Sequence, residues 1–407
     1  MPLRVNAMTN WTLSFVVTVT PTAAVTAAEP QSRALNLPAA PFPYSQVKLP
    51  EHVAEVATQY DNTTAENPIT DHGATLGRVL FYDSTLSANG TTSCASCHQQ
   101  SRAFTDDRRV SLGFKGQPVD RNSMSLVNLR YYRNDRFFWD ERAESLEQQV
   151  LMPIENEIEM GHDLTQLVPQ LAAEPWYPPL FQAAFGDPAV SRQRIAAALA
   201  QFVRSIVSFD SRYDQGLAVA PSVEAPFANF SDLENRGKDL FFGAARCASC
   251  HVASPAGISK QFAFFYVEKA VVNGIDSDTH TPPDLPLDPG VAGVTGDRGD
   301  LGRFKSPSLR NVEVTGPYMH DGRFTTLEAV VEHYNWSIRP HVNLDQRLHL
   351  EDTSGLAMRQ DDVDAVVAFM RTLTDDSLLS APQYSDPFVH DESEIAADPV
   401  VTSATGE

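Results

Sequence analysis

The sequence predicts a mainly α-helical fold, two tandem units with long loops and few short strands, and three observations predict it. After Ser191, residues Ile195, Leu199, Phe202, Ile206 and Phe209 recur three or four apart, as one buried face of a helix requires. Few runs alternate polar and apolar residues with period two, so strands should be short. Gly77-Arg78-Val79-Leu80-Phe81-Tyr82 leads into one cysteine pair and Gly237-Lys238-Asp239-Leu240-Phe241-Phe242 into another, a weak internal repeat.

From the N-terminus, Arg4 precedes the apolar run Trp11-Thr12-Leu13-Ser14-Phe15-Val16-Val17, and small residues follow from Ala23 to Ala28. That order is a secretory signal over 1–28 with a cleavage region, and the bland alternative is a disordered extension. Residues 29–70, rich in Pro and polar groups, read as an N-terminal arm lying over a domain surface, with the packed chain starting near Ala74. One domain is expected over 71–225 and a second over 226–390, with a disordered tail at 391–407. The Ser191 helix should bridge the halves. Trp139 to Met152 forms another helical segment stopped by Pro153, and Asp361 to Leu373 a third near the end.

The chain has 407 residues, enough to bury a substantial core. Its 31 Lys plus Arg against 52 Asp plus Glu give a net charge of -21, which opposes phosphate backbones and anionic lipid surfaces. Nucleic acid is therefore an improbable partner. No later stretch reaches the roughly 20 apolar residues a membrane span needs.

Four cysteines in an exported chain would ordinarily suggest disulfides, but their spacing argues otherwise. Cys94-Ala95-Ser96-Cys97-His98 and Cys247-Ala248-Ser249-Cys250-His251 are both C-x-x-C-H, the signature of c-type haem attachment. On one helical turn, thiols three residues apart can each add to a porphyrin vinyl group while the next imidazole reaches the iron. A zinc site built from the same pairs would leave both histidines unexplained. Two covalent haems c, with His98 and His251 as iron ligands, are the expected cofactors, so each module is read as a cytochrome c-like haem domain.

The sixth iron ligand decides what such a protein does, because a filled position favours electron transfer and an open one admits a small oxidant. No histidine lies between His98 and His162, and Met124 and Met152 are the only methionines between His98 and Pro153. An open first haem follows, with Met124 the competing ligand. For the second haem, candidates lie in Gly316-Pro317-Tyr318-Met319-His320-Asp321-Gly322 and in the next helix, whose start Thr325 and Glu328 mark as a capping box. Leu327, Val330, Val331 and Tyr334 share one face there, with His333 about 100° from Tyr334, so Tyr334 should face inward and His333 outward. Taken alone, Tyr334 reads equally as a core tyrosine.

From about Gly73 to Phe388 the chain resembles the bacterial dihaem cytochrome c peroxidase family, and within it the MauG-like branch. The resemblance rests on the two haem motifs together with Leu76-Gly77-Arg78-Val79-Leu80-Phe81-Tyr82-Asp83, Arg121-Asn122-Ser123, Phe138-Trp139-Asp140-Glu141-Arg142-Ala143, Pro153-Ile154, Glu159-Met160-Gly161, Ser308-Leu309-Arg310-Asn311-Val312 and Pro317-Tyr318-Met319-His320-Asp321-Gly322. It implies that the N-terminal haem is the peroxidatic one. Phe114 then stands where many peroxidases carry a histidine that blocks the iron until reduction, so this site should accept hydrogen peroxide without reductive activation. Tyr334 stands where ordinary members offer a methionine; a one-residue register error would substitute His333. A phenolate favours Fe(III) over Fe(II), so the second haem should be hard to reduce.

The same matching places Gln149 and Glu159 in the distal pocket of the first haem, Glu159 moving a proton between the peroxide oxygens with a pKa tuned by burial. Alone, Glu159 would read as one of three surface carboxylates with Glu155 and Glu157. Trp139 matches the family's tryptophan between the haems, and Asn122, Thr315 and Pro317 match its calcium donors. The implied enzyme is a periplasmic haem peroxidase. Its oxidising equivalents either act on a partner protein, as in the MauG-like branch, or are quenched by electrons from a small cytochrome c or cupredoxin. A dihaem electron carrier without turnover is the reading from another class. Homodimers are common in the family.

Overall fold

The computed structural model describes residues 34–389, apart from 133, 135, 252–263, 267–268, 279–286 and 350–354. The expected signal over 1–28 and tail over 391–407 lie outside the described residues. By contacts, Leu35–Phe388 form one unit; of the remaining residues only Ala34 and Val389 are described, joined by a backbone hydrogen bond of 2.9 Å. The described residues are helical, with isolated bridges in place of strands. None of their helices is long and apolar enough to cross a membrane.

The repeat seen in sequence is a structural repeat. Helix Asp71–Tyr82 starts at Thr70, whose hydroxyl accepts from the Gly73 N–H at 3.0 Å. It buries Leu76, Val79, Leu80 and Phe81 against helix Arg192–Ser205, which supplies Ile195, Leu199 and Phe202. Helix Asp232–Phe242, opened by a Ser231/Glu234 capping box, packs in the same way on helix Gln360–Arg371, burying Phe241, Val363, Val366 and Phe369. Each pair meets at a glycine. A Cβ on Gly77 would lie 2.0 Å from the carbonyl oxygen of Ala198, and one on Gly237 would lie 1.8 Å from that of Ala365. Only glycine allows backbones this close, so the repeat's Gly77 and Gly237 are packing requirements.

Several local expectations change. Packing begins before Ala74: helix Glu51–Tyr60, inside the presumed arm, buries Val53, Val56, Ala57 and Tyr60. The Ser191 helix begins as expected, with Ser191 accepting from the Arg194 N–H, but ends at Ser205, so Ile206 and Phe209 lie beyond it. It packs mainly on the Asp71–Tyr82 helix of its own half, and its C-terminal end reaches the other half where Phe202 and Ser205 meet Tyr384. Trp139 to Met152 is not one helix; only Leu146–Gln149 is helical there, and Pro153 sits in the first turn of a separate Met152–Glu155 turn. Pro lacks only an N–H that a first turn leaves unused anyway, so it opens this turn instead of stopping one.

What ties the chain's first and last parts together is polar as well as apolar. Tyr384 donates to the Ser205 carbonyl at 2.6 Å, and Leu378, Tyr384 and Phe388 join the first cluster. Arg310 is fully buried against Asp214, Nη2 to Oδ1 at 2.8 Å, and this cation holds the Asp214 carboxyl well below the usual range. Removing one partner of such a buried pair costs about 3–5 kcal/mol.

Candidate active site

The first motif forms a single turn, Cys94–Cys97, capped reciprocally by Ser93 and Ser96. His98 leaves that turn with its ring Nδ1 2.8 Å from the carbonyl oxygen of Phe104 and 3.3 Å from the Ser123 hydroxyl. A carbonyl can only accept, so Nδ1 carries the proton and Nε2 keeps its lone pair, the state an iron ligand needs. Burial also lowers the His98 pKa, which keeps the ring neutral.

The cysteines form no disulfide. Burial pushes the Cys94 thiol up to about 12 and the Cys97 thiol up to about 11. Among the described residues no three His, Cys, Asp or Glu side chains cluster as a metal site.

In front of His98 lies a cavity of about 710 Å³, lined by Cys94, Cys97, His98, Trp139, Gln149 and Glu159 among others. That size suits a cofactor, since such pockets run to about 300–1,000 Å³. The cysteine pair, the neutral histidine and a predominantly apolar wall therefore fit a c-type haem. The structure brings together the three residues expected to act on this haem and places all of them at one cavity.

Glu159 separates from its two neighbours: Glu155 and Glu157 are exposed, whereas Glu159 is half-buried. Burial raises its pKa, Arg142 lowers it and Asp120 raises it. Phe114 does not line the cavity. Its backbone N–H bonds the Glu159 carbonyl at 2.9 Å, and its ring stands so close to Gly161 that a Cβ there would lie 2.5 Å away. Met124, the competing ligand, lines the same cavity: its backbone reaches the His98 ring, and its sulfur lies 3.6 Å from Lys305 Nζ. His320 also lines the cavity, with its ring stacked on Phe304 at 3.8 Å.

Trp139 is buried to 9 % exposure, donates from Nε1 to the Asn122 carbonyl at 2.9 Å, and meets His320 edge to face at 6.5 Å. Asn122 in turn donates its N–H to the His320 carbonyl at 2.8 Å. This contact ties Asn122 to the segment that follows Thr315 and Pro317, the other expected calcium donors, while the Asn122 side-chain amide donates to the Arg108 and Arg109 carbonyls at 3.3 and 3.2 Å.

At the second motif, helix Ala248–His251 ends on the motif's histidine, with burial lowering the His251 pKa to about 4 and the backbone of Phe265 beside its ring. Burial pushes the Cys247 thiol up to about 12 and raises Cys250 too. Tyr334 sits on helix Leu327–Trp336, whose cap is Thr326, accepting from Ala329, and not Thr325. The expectation that His333 points outward is wrong: it is 4 % exposed, with Nε2 3.1 Å from the Asn273 carbonyl. A one-face argument fails because the helix is covered on several sides, by helix Gln360–Arg371 and by the Asn273 segment. The two side chains nonetheless part ways. His333 is committed to Asn273, while the Tyr334 phenol lies in the field of Cys250 and Cys247, and burial raises its pKa. Its oxygen is 3.5 Å from the Asn273 amide, which also approaches the Met319 sulfur at 3.4 Å.

Sequence reasoning missed Asn273, Arg142 and Lys305. Arg142 was legible in the stretch Phe138 to Ala143, whereas nothing in sequence marks a lone lysine or asparagine as buried.

Comparison with known proteins identifies the family. A family model described as di-haem cytochrome c peroxidase matches residues 71–220. The methylamine utilization protein MauG of Methylorubrum extorquens is 33% identical over 78% of this chain and 82% of its own. Cytochrome c551 peroxidase of Nitrosomonas europaea is 34% identical over 74% of this chain and 80% of its own. A solved MauG-like protein associated with microbial copper homeostasis superposes with a TM-score of 0.66 at 35% identity, over 80% of this chain and 96% of that one. With paired C-x-x-C-H turns, a haem-sized cavity at the first and relatives matched over most of their length, this chain belongs to the dihaem cytochrome c peroxidase family of haem-dependent oxidoreductases.

Proposed function

We propose that the chain is a periplasmic dihaem peroxidase that consumes hydrogen peroxide at the His98 haem and uses the oxidising equivalents on a partner protein, in the MauG-like manner. Haem c bound at His98 supplies the iron at which peroxide is reduced. Glu159 takes a proton from one peroxide oxygen and returns it to the other as the O–O bond breaks and water leaves. Gln149, with an amide that both donates and accepts, orients the peroxide beside Glu159. Arg142 offsets part of the cost of a carboxylate in this half-buried place. Trp139 stands where an aromatic ring can pass an electron between the haems. His251 and Tyr334 hold the second haem, and Asn122, Thr315 and Pro317 hold calcium through oxygen atoms. The haem domains extend over 71–225 and 226–390.

One observation carries this reading: Gln149 and Glu159 share a cavity with His98, while Phe114 is turned against Gly161 outside it. The Tyr334 phenol, lying in the field of Cys247 and Cys250, favours the MauG-like outcome over cytochrome c peroxidase activity fed by a small cytochrome c or cupredoxin.

The test is EPR and absorption of the ferric protein before and after one equivalent of peroxide, without reductant. A high-spin signal beside a low-spin one, both bleached by peroxide, supports the MauG-like reading. Reaction only after partial reduction assigns an ordinary peroxidase, and two low-spin haems indifferent to peroxide assign an electron carrier.

A further inference from the structure

Lys305 is 3 % exposed and lines the His98 cavity. Its backbone N–H donates to the Trp139 carbonyl at 2.8 Å, so its position is tied to the wall that carries Trp139. The ammonium Nζ has poor company: the Met124 sulfur at 3.6 Å and the face of Tyr132 at 4.0 Å. Every other Arg or Lys lining the cavity is neutralised. Arg121 pairs with Asp288 at 2.7 Å and with Asp140, Arg142 pairs with Asp140 at 3.0 Å, and Arg323 pairs with Asp276 at 2.9 Å and Asp321 at 2.8 Å. Lys305 has no carboxylate at ion-pair distance among the described residues. Glu141, the acid whose field reaches it, is already engaged by Tyr132 at 3.2 Å and Asn134 at 2.8 Å.

A buried ammonium facing a sulfur and a ring is expensive, and a lysine that served only to fill space would be replaced at no loss by Met or Leu. Burial lowers the Lys305 pKa to about 8. An anion entering the cavity would reverse that shift.

We infer that Lys305 binds a propionate carboxylate of the haem held by Cys94, Cys97 and His98. The inference rests on haem being attached there, as proposed above. The propionates are that cofactor's charged side groups. Thioether bonds at Cys94 and Cys97 would hold the vinyl edge of the haem at their own wall, and its propionates would then meet the rest of the cavity, where Lys305 is the cation without a carboxylate at ion-pair distance. The lysine follows both haem motifs in the chain, so the first haem is gripped by a residue from the other half of the sequence. Because its backbone is bonded to Trp139, the same contact seats the propionate edge beside the tryptophan. A fixed positive charge there would disfavour the ferric state and raise the reduction potential of a haem held by His98.

The experiment compares wild-type holoprotein with Lys305→Met and Lys305→Gln, the first apolar and the second a neutral hydrogen-bond donor. Haem content is read first, by pyridine haemochrome; fewer than two haems in the wild type would sink the parent reading by itself. In variants with two haems, the His98 haem should become harder to reduce by at least tenfold in its equilibrium constant, about 59 mV for one electron. The propionate bending band in the resonance Raman spectrum should move, and the potential of the His251 haem should stay. A variant that holds two haems with a wild-type His98 potential and an unmoved propionate band overturns the inference.

Discussion

The backbone N–H of Phe114 is bonded to the carbonyl oxygen of Glu159 at 2.9 Å, with the Phe114 ring laid against Gly161 two residues further on. One contact thus joins the position that the family resemblance matches to a blocking histidine to the backbone of the residue proposed to move the proton. Gly161 has φ +61°, a region that disfavours a side chain, and a Cβ there would meet the Phe114 ring at 2.5 Å. Gly161→Ala should cost about 1–3 kcal/mol of stability through that strain. It should also loosen the Glu159 segment, slowing peroxide bleaching in stopped-flow absorption while both haems remain attached. A variant that folds with full stability and reacts at the wild-type rate would show that the clamp does nothing.

Glu159→Gln separates chemistry from stability. Loss of the carboxylate should slow peroxide consumption by about 10²–10⁴, the usual contribution of a positioned acid–base group. The stability effect runs the other way. Burial raises the Glu159 pKa in the fold, so the folded state binds more protons than the unfolded one, whose carboxyl titrates near 4.3. The native state is therefore penalised as pH rises from the unfolded value through the folded one, and the penalty is complete above both. At neutral pH Glu159→Gln should melt higher than wild type, and the difference should vanish below about pH 4. Thermal melts of holoprotein across that range decide it, and a variant less stable at pH 7 would contradict the burial of this carboxylate.

What could be read in advance depended on what each residue answers to. Gly77 and Gly237 were visible as a repeat because backbone approach admits a single residue type, and Ser191 was visible as a cap because its hydroxyl has one local use. The haem motifs were legible for the same reason, since two thiols and an imidazole must share one turn. Trp139 to Met152 misled because its apolar residues divide between the core, which takes Ala143, Leu146 and Leu151, and the cavity wall, which takes Trp139, so spacing alone suggested a helix that the structure breaks into turns. His333 misled because its helix is enclosed on more than one side. Lys305 was invisible, as its burial is decided by Trp139 and Met124, far away in the chain.

At the second haem, where Tyr334 is the proposed ligand, Tyr334→Met would exchange a hard donor, anionic once it holds the iron, for a soft neutral one. The potential of the His251 haem should rise by more than about 59 mV, a tenfold shift toward Fe(II). His333→Ala should leave the low-spin EPR signal of that haem in place, because His333 Nε2 is occupied by the Asn273 carbonyl at 3.1 Å. If His333→Ala turns the His251 haem high-spin and Tyr334→Met does not alter it, the ligand is His333.

Trp139 is held at both ends of its residue. Its indole N–H donates to the Asn122 carbonyl, and its own carbonyl accepts from the Lys305 N–H. Asn122 is bonded to His320, so the ring sits where segments from the two halves of the chain meet, as the relay proposed above requires. Trp139→Phe keeps an aromatic filler but removes the donor and the larger, more easily oxidised ring. Peroxide should still bleach the high-spin signal of the His98 haem at close to the wild-type rate. Bleaching of the low-spin signal should lag by tenfold or more, equivalent to about 1.4 kcal/mol on that step. Rapid-freeze EPR resolves the two signals in one sample. Simultaneous loss of both in Trp139→Phe would mean that electrons cross by another route, and Trp139 would return to being a core residue that closes the cavity wall.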